Sequence, residues 1–169
     1  MDDKIFNRAR KRDEEAFLTL MRLYKDNVYY TGLAYLKNSE KAKEAVQEVT
    51  FRAYKNIHKV KKATAVKAWL VRITINYCLD EIKKSKRFQS GNDFTLIESS
   101  QSHDVTESLF LTEAIHTLRP KYQMVVIMKY YNDLTVNEIA ESLKMPTGTV
   151  KTYLSRALTE LRNYAERGI

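Results

Sequence analysis

Turns need residues that bend the chain, and here there are few: four glycines and two prolines among 169 residues, about a third of ordinary usage. A many-stranded fold needs Gly, Pro or Asn at nearly every hairpin, so the expected fold class is all-α. Hydrophobic residues at 44% and charged residues at 30% exclude both a compositionally disordered chain and a membrane-embedded one. They leave apolar surface for one core or two small ones. A single Cys excludes an intrachain disulfide, and with three His it cannot complete the closed Cys/His set of a structural zinc site. No metal or cofactor is expected, and the cysteine usage reads as cytosolic. The opening Met1-Asp2-Asp3-Lys4 leads into a charged segment, and no stretch reaches the ~18–20 apolar residues of a membrane span. Secretion and membrane insertion are not expected.

The net charge of +8 points to a polyanionic partner, of which nucleic acid is the commonest. Residues 1–88 carry 21 basic and 11 acidic side chains, residues 89–108 none and four, and residues 109–169 eight and six. The middle stretch, QSGNDFTLIESSQSHDVTES, is rich in Ser, Gln, Asn and Asp without helical periodicity, which marks an acidic linker between two domains. Each lobe is then a small helical bundle. Helices are predicted near 13–36, 39–57 and 66–85 in the first lobe, with Asp13 and Ser39 as caps, and near 108–118, 120–131, 135–143 and 147–166 in the second.

Within 39–57, Ala42, Ala45, Val46, Val49, Ala53 and Ile57 fall on one stripe, the spacing of a face turned to a core. The opposite face carries Glu44, Gln47, Glu48 and Lys55, with Phe51 among them where only water or a partner would cover it. That face is a candidate protein-docking surface. The 66–85 helix is apolar nearly all round, through Trp69, Leu70, Val71, Ile73, Ile75, Tyr77, Cys78, Leu79 and Ile82, and is expected to be deeply buried. One polar ladder interrupts it: Arg72, Asn76, Asp80 and Lys83 share a face, and Lys84, Lys86 and Arg87 extend its positive charge. Basic side chains neutralise phosphates while Asn and Asp hydrogen-bond to base edges, so the ladder is a candidate nucleic-acid face; a solvated, self-satisfied network is the plainer alternative. The preceding loop, His58 to Thr64, adds Lys59, Lys61 and Lys62 to the patch.

The second lobe is more specific. Thr135-Val136-Asn137-Glu138 is a capping box opening a short helix with Ile139, Ala140 and Leu143 inward. Lys144-Met145-Pro146 makes a turn, Pro146 suits the first position of a helix, and Val150, Leu154, Ala157, Leu158 and Leu161 form an apolar stripe. This is helix-turn-helix spacing. On the outer side Thr149, Thr152, Ser155, Arg156 and Thr159, flanked by Lys151 and Arg162, offer the hydroxyls and guanidinium that read a major groove.

At these residues the chain resembles the extracytoplasmic-function class of bacterial RNA polymerase sigma factors. The resemblance rests on EAVQEVTFRAYKNI (Glu44 to Ile57), KAWLVRITINYCLDEIKKSKR (Lys67 to Arg87) and LRPKYQMVVIMKYYNDLTVNEIAESLKMPTGTVKTYLSRALTELR (Leu118 to Arg162). It implies a promoter-specificity subunit with region 2 in residues 1–88, the linker in 89–108 and region 4 in 109–169. It implies that Glu44, Gln47, Glu48 and Phe51 dock on the clamp coiled coil of the largest catalytic polymerase subunit. By the same resemblance, Lys61, Lys62, Arg72, Asn76, Asp80, Lys83, Lys84 and Arg87 recognise and melt the −10 element, whose non-template strand is captured as single-stranded DNA. Thr149, Lys151, Thr152, Ser155 and Arg156 then read the −35 duplex. The linker is expected near the polymerase active centre, where an acidic strap can stand in for nascent RNA. A membrane-anchored anti-sigma protein is the expected inhibitory partner, with the chain cytoplasmic, at the nucleoid when active and at the inner membrane face when held.

Tyr153 and Leu158 depart from the family, sitting where similar proteins often carry Arg, so weaker −35 binding with a flatter salt dependence is expected. Two rival readings differ in kind. A stand-alone helix-turn-helix regulator would make the first lobe a sensor, which should show a ligand cavity or coiled-coil seam. A nucleic-acid enzyme would need more than the Asp80-Glu81 or Glu44/Glu48 carboxylates and the scattered His58, His103 and His116, and no nucleophile or phosphate-loop motif accompanies them.

Overall fold

A computed structural model of the chain describes residues 1–90 and 106–168, with side chains for 1–90 and 110–168. Most of the linker expected at 89–108, together with His103, lies outside the described residues. Among them there is helix and no strand, in keeping with the shortage of turn residues. Contacts divide the chain into two compact units, Met1–Ser99 and Ser100–Ile169.

The first unit opens with a helix absent from the sequence-based expectation, α1 (Asp3–Arg10), capped by Asp2, whose carboxylate accepts the Lys4 N–H at 2.9 Å. Its charges disguised it, but Phe6 and Ala9, three apart, bury one edge. Arg12 takes the left-handed conformation (φ 65°) at the turn, and α2 (Glu14–Leu36) starts where Asp13 accepts the Ala16 N–H at 3.1 Å. Lys37, also left-handed, ends α2. The cap of α3 (Ser39–Asn56) is Asn38 and not Ser39: Asn38 holds the extended backbone of a cap and accepts the Lys41 N–H at 2.9 Å, while Ser39 is already helical. Small residues let α2 and α3 approach closely, since a Cβ on Gly32 would stand 3.4 Å from that of Ala45. Short 3-10 turns at Ile57–Lys59 and Ala63–Ala65 lead into α4 (Val66–Gln89).

The uniform burial expected of α4 is not what forms. Leu70, Val71, Thr74, Ile75, Tyr77 and Cys78 are buried, whereas Trp69, Ile73, Leu79 and Ile82 are half-buried. Partners from α2 and α3 cover one side of the helix, and the flanking apolar residues mark the boundary with water. Burial, assisted by the negative charge of Glu81, pushes the Cys78 thiol up to about 12.

In the second unit α5 (Thr106–Thr117) precedes α6 (Pro120–Val126), which has Pro at its first position and runs on into a widened π-turn, Ile127–Tyr131. One continuous α-helix was expected there. The turn is closed from below: the buried Asn132 amide donates to the Ile127 carbonyl at 3.2 Å and the Leu134 N–H to that of Met128 at 3.2 Å. The Thr135 capping box opens α7 (Val136–Leu143), with the Glu138 N–H donating to Thr135 Oγ1 at 3.1 Å and the Thr135 N–H to Glu138 Oε2 at 2.7 Å. Pro146 stands one place before α8 (Thr147–Arg167), its carbonyl accepting from the Thr149 and Val150 N–H groups. Ile139 and Ala140 are buried, Leu143 half so. The apolar stripe of α8 is narrower than expected: Val150, Leu154 and Ala157 are buried, Leu161 is half-buried and Leu158 is 42% exposed. At 3.6 residues per turn Leu158 sits about 80° round from Val150, at the edge of the stripe.

Candidate polymerase and nucleic-acid interfaces

On α3 the spacing of Glu44, Gln47, Glu48 and Phe51 brings all four to one face, away from the buried alanine stripe. Glu44, Gln47 and Phe51 are exposed. Glu48 is half-buried and engaged, its Oε1 accepting from Arg52 Nε at 2.7 Å, while the Arg52 guanidinium lies 5.3 Å from the centre of the Tyr77 ring. Phe51 is 55% exposed, yet Lys55 Nζ stands 4.0 Å over its ring, so a neighbouring cation and not only water covers it. Burial first, then the charges of Glu81, Glu44 and Glu48, raises the Tyr77 hydroxyl above the usual range.

The loop after α3 is pinned at intervals. Ile57, Val60, Ala63 and Val66 are buried, and between them His58, Lys59, Lys61, Lys62 and Thr64 are exposed. The spacing of three follows from the two 3-10 turns. On α4, Asn76, Asp80 and Lys83 are exposed and Arg72 is half-buried, so the predicted ladder forms one outward face. Residues 57–88 hold nine Lys and Arg against Asp80 and Glu81 alone. Lys84 pairs with Glu81 at 3.0 Å, and both remain solvated enough for the pair to be weak. Past it, Lys84, Arg87 and Phe88 line a shallow pocket of about 310 Å³, with Phe88 81% exposed. Sequence reasoning passed over Phe88 and the half-buried Trp69 and Ile73; all three flank the polar ladder, and a large aromatic one residue beyond Arg87 was the available signal.

On α8, Lys151, Thr152, Ser155 and Arg156 are exposed and Thr149 is half-buried. Two hydroxyls are turned back to their own helix: Thr152 Oγ1 donates to the Gly148 carbonyl at 2.9 Å and Thr159 Oγ1 to that of Ser155 at 3.1 Å. They face outward as acceptors and methyl groups. Tyr153 is half-buried against Tyr122, ring centres 5.5 Å apart, with Lys121 Nζ 5.1 Å from its ring. It serves the unit's own packing. Among the described residues no cluster of three or more His, Cys, Asp or Glu could hold a metal ion, and no helix is long and apolar enough to cross a membrane.

Two family models match in chain order: "Sigma-70 region 2" over residues 20–88 and "Sigma-70, region 4" over residues 111–161. The chain is 31% identical to the ECF RNA polymerase sigma factor SigW of Bacillus subtilis, the alignment covering 96% of this chain and 95% of the relative. It is 30% identical to RNA polymerase sigma factor SigV of the same organism, over 90% and 93%. In fold it is similar to the sigma factor RpoE of Bartonella quintana, solved in complex with the anti-sigma factor NepR, at a TM-score of 0.72 and 18% identity, covering 89% of this chain and 96% of that one. Nothing in these likenesses supports a stand-alone regulator.

Proposed function

Since the chain belongs to the extracytoplasmic-function sigma factors of RNA polymerase, a family of initiation factors and not of enzymes, we propose how its surfaces divide the work. Residues 1–88 act as region 2, 89–108 as an acidic linker and 109–169 as region 4. Glu44, Gln47 and Phe51 dock on the polymerase clamp coiled coil, and Glu48 contributes through its pairing with Arg52. The −10 strand runs along Lys61 and Lys62 and onto Arg72, Asn76, Asp80, Lys83, Lys84 and Arg87. The −35 duplex meets Thr149, Lys151, Thr152, Ser155 and Arg156.

The observation that carries this reading is the separation of charge within the first unit. The α3 face around Phe51 is balanced in charge, Glu44 and Glu48 against Arg52 and Lys55, while the loop and α4 hold nine of the lobe's basic side chains against two acids. A polymerase contact and a phosphate contact therefore need not compete for one surface. Bases taken from a melted strand trade stacking on each other for contacts with polar side chains and for the half-buried Trp69 and Ile73, which asks for no energy source beyond binding.

The Bartonella relative was solved with an anti-sigma factor, which supports control of this chain by a partner of that kind; that the partner is anchored in the membrane and the chain cytoplasmic is proposed from the family resemblance alone. The test of the whole reading is reconstitution. Mixed with bacterial core RNA polymerase free of its own sigma, the chain should co-elute and start transcription at discrete sites on genomic fragments. Duplex binding without polymerase association would withdraw the roles given to Glu44, Glu48 and Phe51.

A further inference from the structure

The end of α1 and the first 3-10 turn border a cleft of about 460 Å³ lined by Asn7, Arg10, Lys11 and His58. None of the four is acidic. Arg10 is half-buried there; its Nη2 donates to the His58 carbonyl at 3.4 Å and its guanidinium lies 5.6 Å from the Phe6 ring centre. Its Nε is buried and donates to nothing among the described residues. A guanidinium is a rigid fork of five N–H donors; the buried Nε lies out of reach of an outside oxygen, and one Nη2 hydrogen goes to the His58 carbonyl, so the remaining Nη donors are the ones an acceptor entering the cleft would meet. Local groups do not supply one. Asp13 is committed to Arg8 at 2.8 Å and to the Ala16 N–H at 3.1 Å. The Arg8 and Ala9 carbonyls that end α1 already accept from the N–H groups of Lys11, Arg12 and Asp13, so the negative end of the helix is met.

A guanidinium beside an exposed ammonium in an open polar cleft suits the oxygens of a phosphate. Chain continuity names its source, because His58 opens the same loop that carries Lys59, Lys61 and Lys62 towards the ladder on α4. We propose that the cleft of Arg10, Lys11 and His58 holds a backbone phosphate of the separated DNA strand, extending the strand-binding surface onto α1. The proposal rests on the reading of Lys61 to Arg87 as the strand face.

The test measures binding of the complete chain to a fluorescent single strand of about 20 nucleotides, longer than the ~4–16-nucleotide site of a small domain, across a salt series. Lys11→Gln and Arg10→Gln should each weaken binding roughly two- to fivefold and flatten the slope of log affinity against log salt by about 0.7. Lys11 is exposed, so its variant keeps the fold even where the Arg10 variant does not. A Lys61→Gln, Lys62→Gln pair separates the two readings. If that pair flattens the slope and Lys11→Gln leaves affinity and slope unchanged, the cleft is not a phosphate site; if neither set changes anything, the strand face falls with it. A Lys11→Gln variant that loses affinity for core polymerase instead assigns the cleft to an acidic protein surface and overturns the proposal.

Discussion

Phe51 keeps more than half its surface in solvent with only Lys55 laid across the ring, so its truncation removes an anchor without opening the core. Phe51→Ala should weaken core polymerase binding by about 30-fold, the ~2 kcal/mol of an aromatic hot spot, and leave the melting temperature unchanged; competition for core enzyme beside a thermal melt reads both. A parallel loss of duplex binding would mean misfolding. The two departures on α8 differ from one another for a structural reason. Leu158 is solvent-facing, so Leu158→Arg should fit and steepen the salt dependence of duplex binding by about 0.9 for one added phosphate contact. Tyr153 packs on Tyr122 under Lys121, and Tyr153→Arg should lower the melting temperature as it gains charge. Filter binding over a salt series with a melt for each variant distinguishes them.

Helix ends decided most of what the sequence made legible at the level of elements. Asp13 and the Thr135–Glu138 box were readable because a side chain that satisfies an orphan backbone donor has few substitutes, and the alanine stripe of α3 was readable from its period. What escaped depended on tertiary partners. α1 hid behind its charges, the π-turn depends on Asn132 and Leu134 reaching back from beyond the helix, and the half-burial of Trp69 and Ile73 reflects where α2 and α3 stop covering α4. The polar ladder and the recognition face were visible as patterns, but the pairing of Glu48 with Arg52 and the inward turn of the Thr152 hydroxyl were not, since each is a choice among rotamers. Asp13 also joins two elements. The Ala16 N–H, then Arg8, hold its carboxyl below the usual aspartate range, so its contribution is complete above that range and is lost as pH falls through the lowered value. Asp13→Asn should therefore lower the melting temperature at neutral pH, where the carboxylate's pairing with Arg8 is complete, and flatten the acid limb below about pH 4 so that the two proteins converge there.

Taken whole, the molecule separates an interaction built on an aromatic anchor from interactions built on phosphate charge, and salt should part them. Raising salt from about 50 to 200 mM should cut promoter opening steeply, since several phosphate contacts are lost together, while core polymerase binding through the Phe51 face falls much less. Permanganate footprinting of the opened strand and co-elution, run on the same samples, give the two curves; parallel curves would remove the division of surfaces. The chain's one thiol, Cys78, is fully buried with its ionisation pushed up by that burial, and thiolate is the form that reacts. Maleimide chemistry should thus pass the native protein by. An Asn163→Cys variant, at an exposed position on α8, would be its single reactive handle, and a dye placed there could follow individual molecules onto and off the polymerase with the native cysteine left where it is.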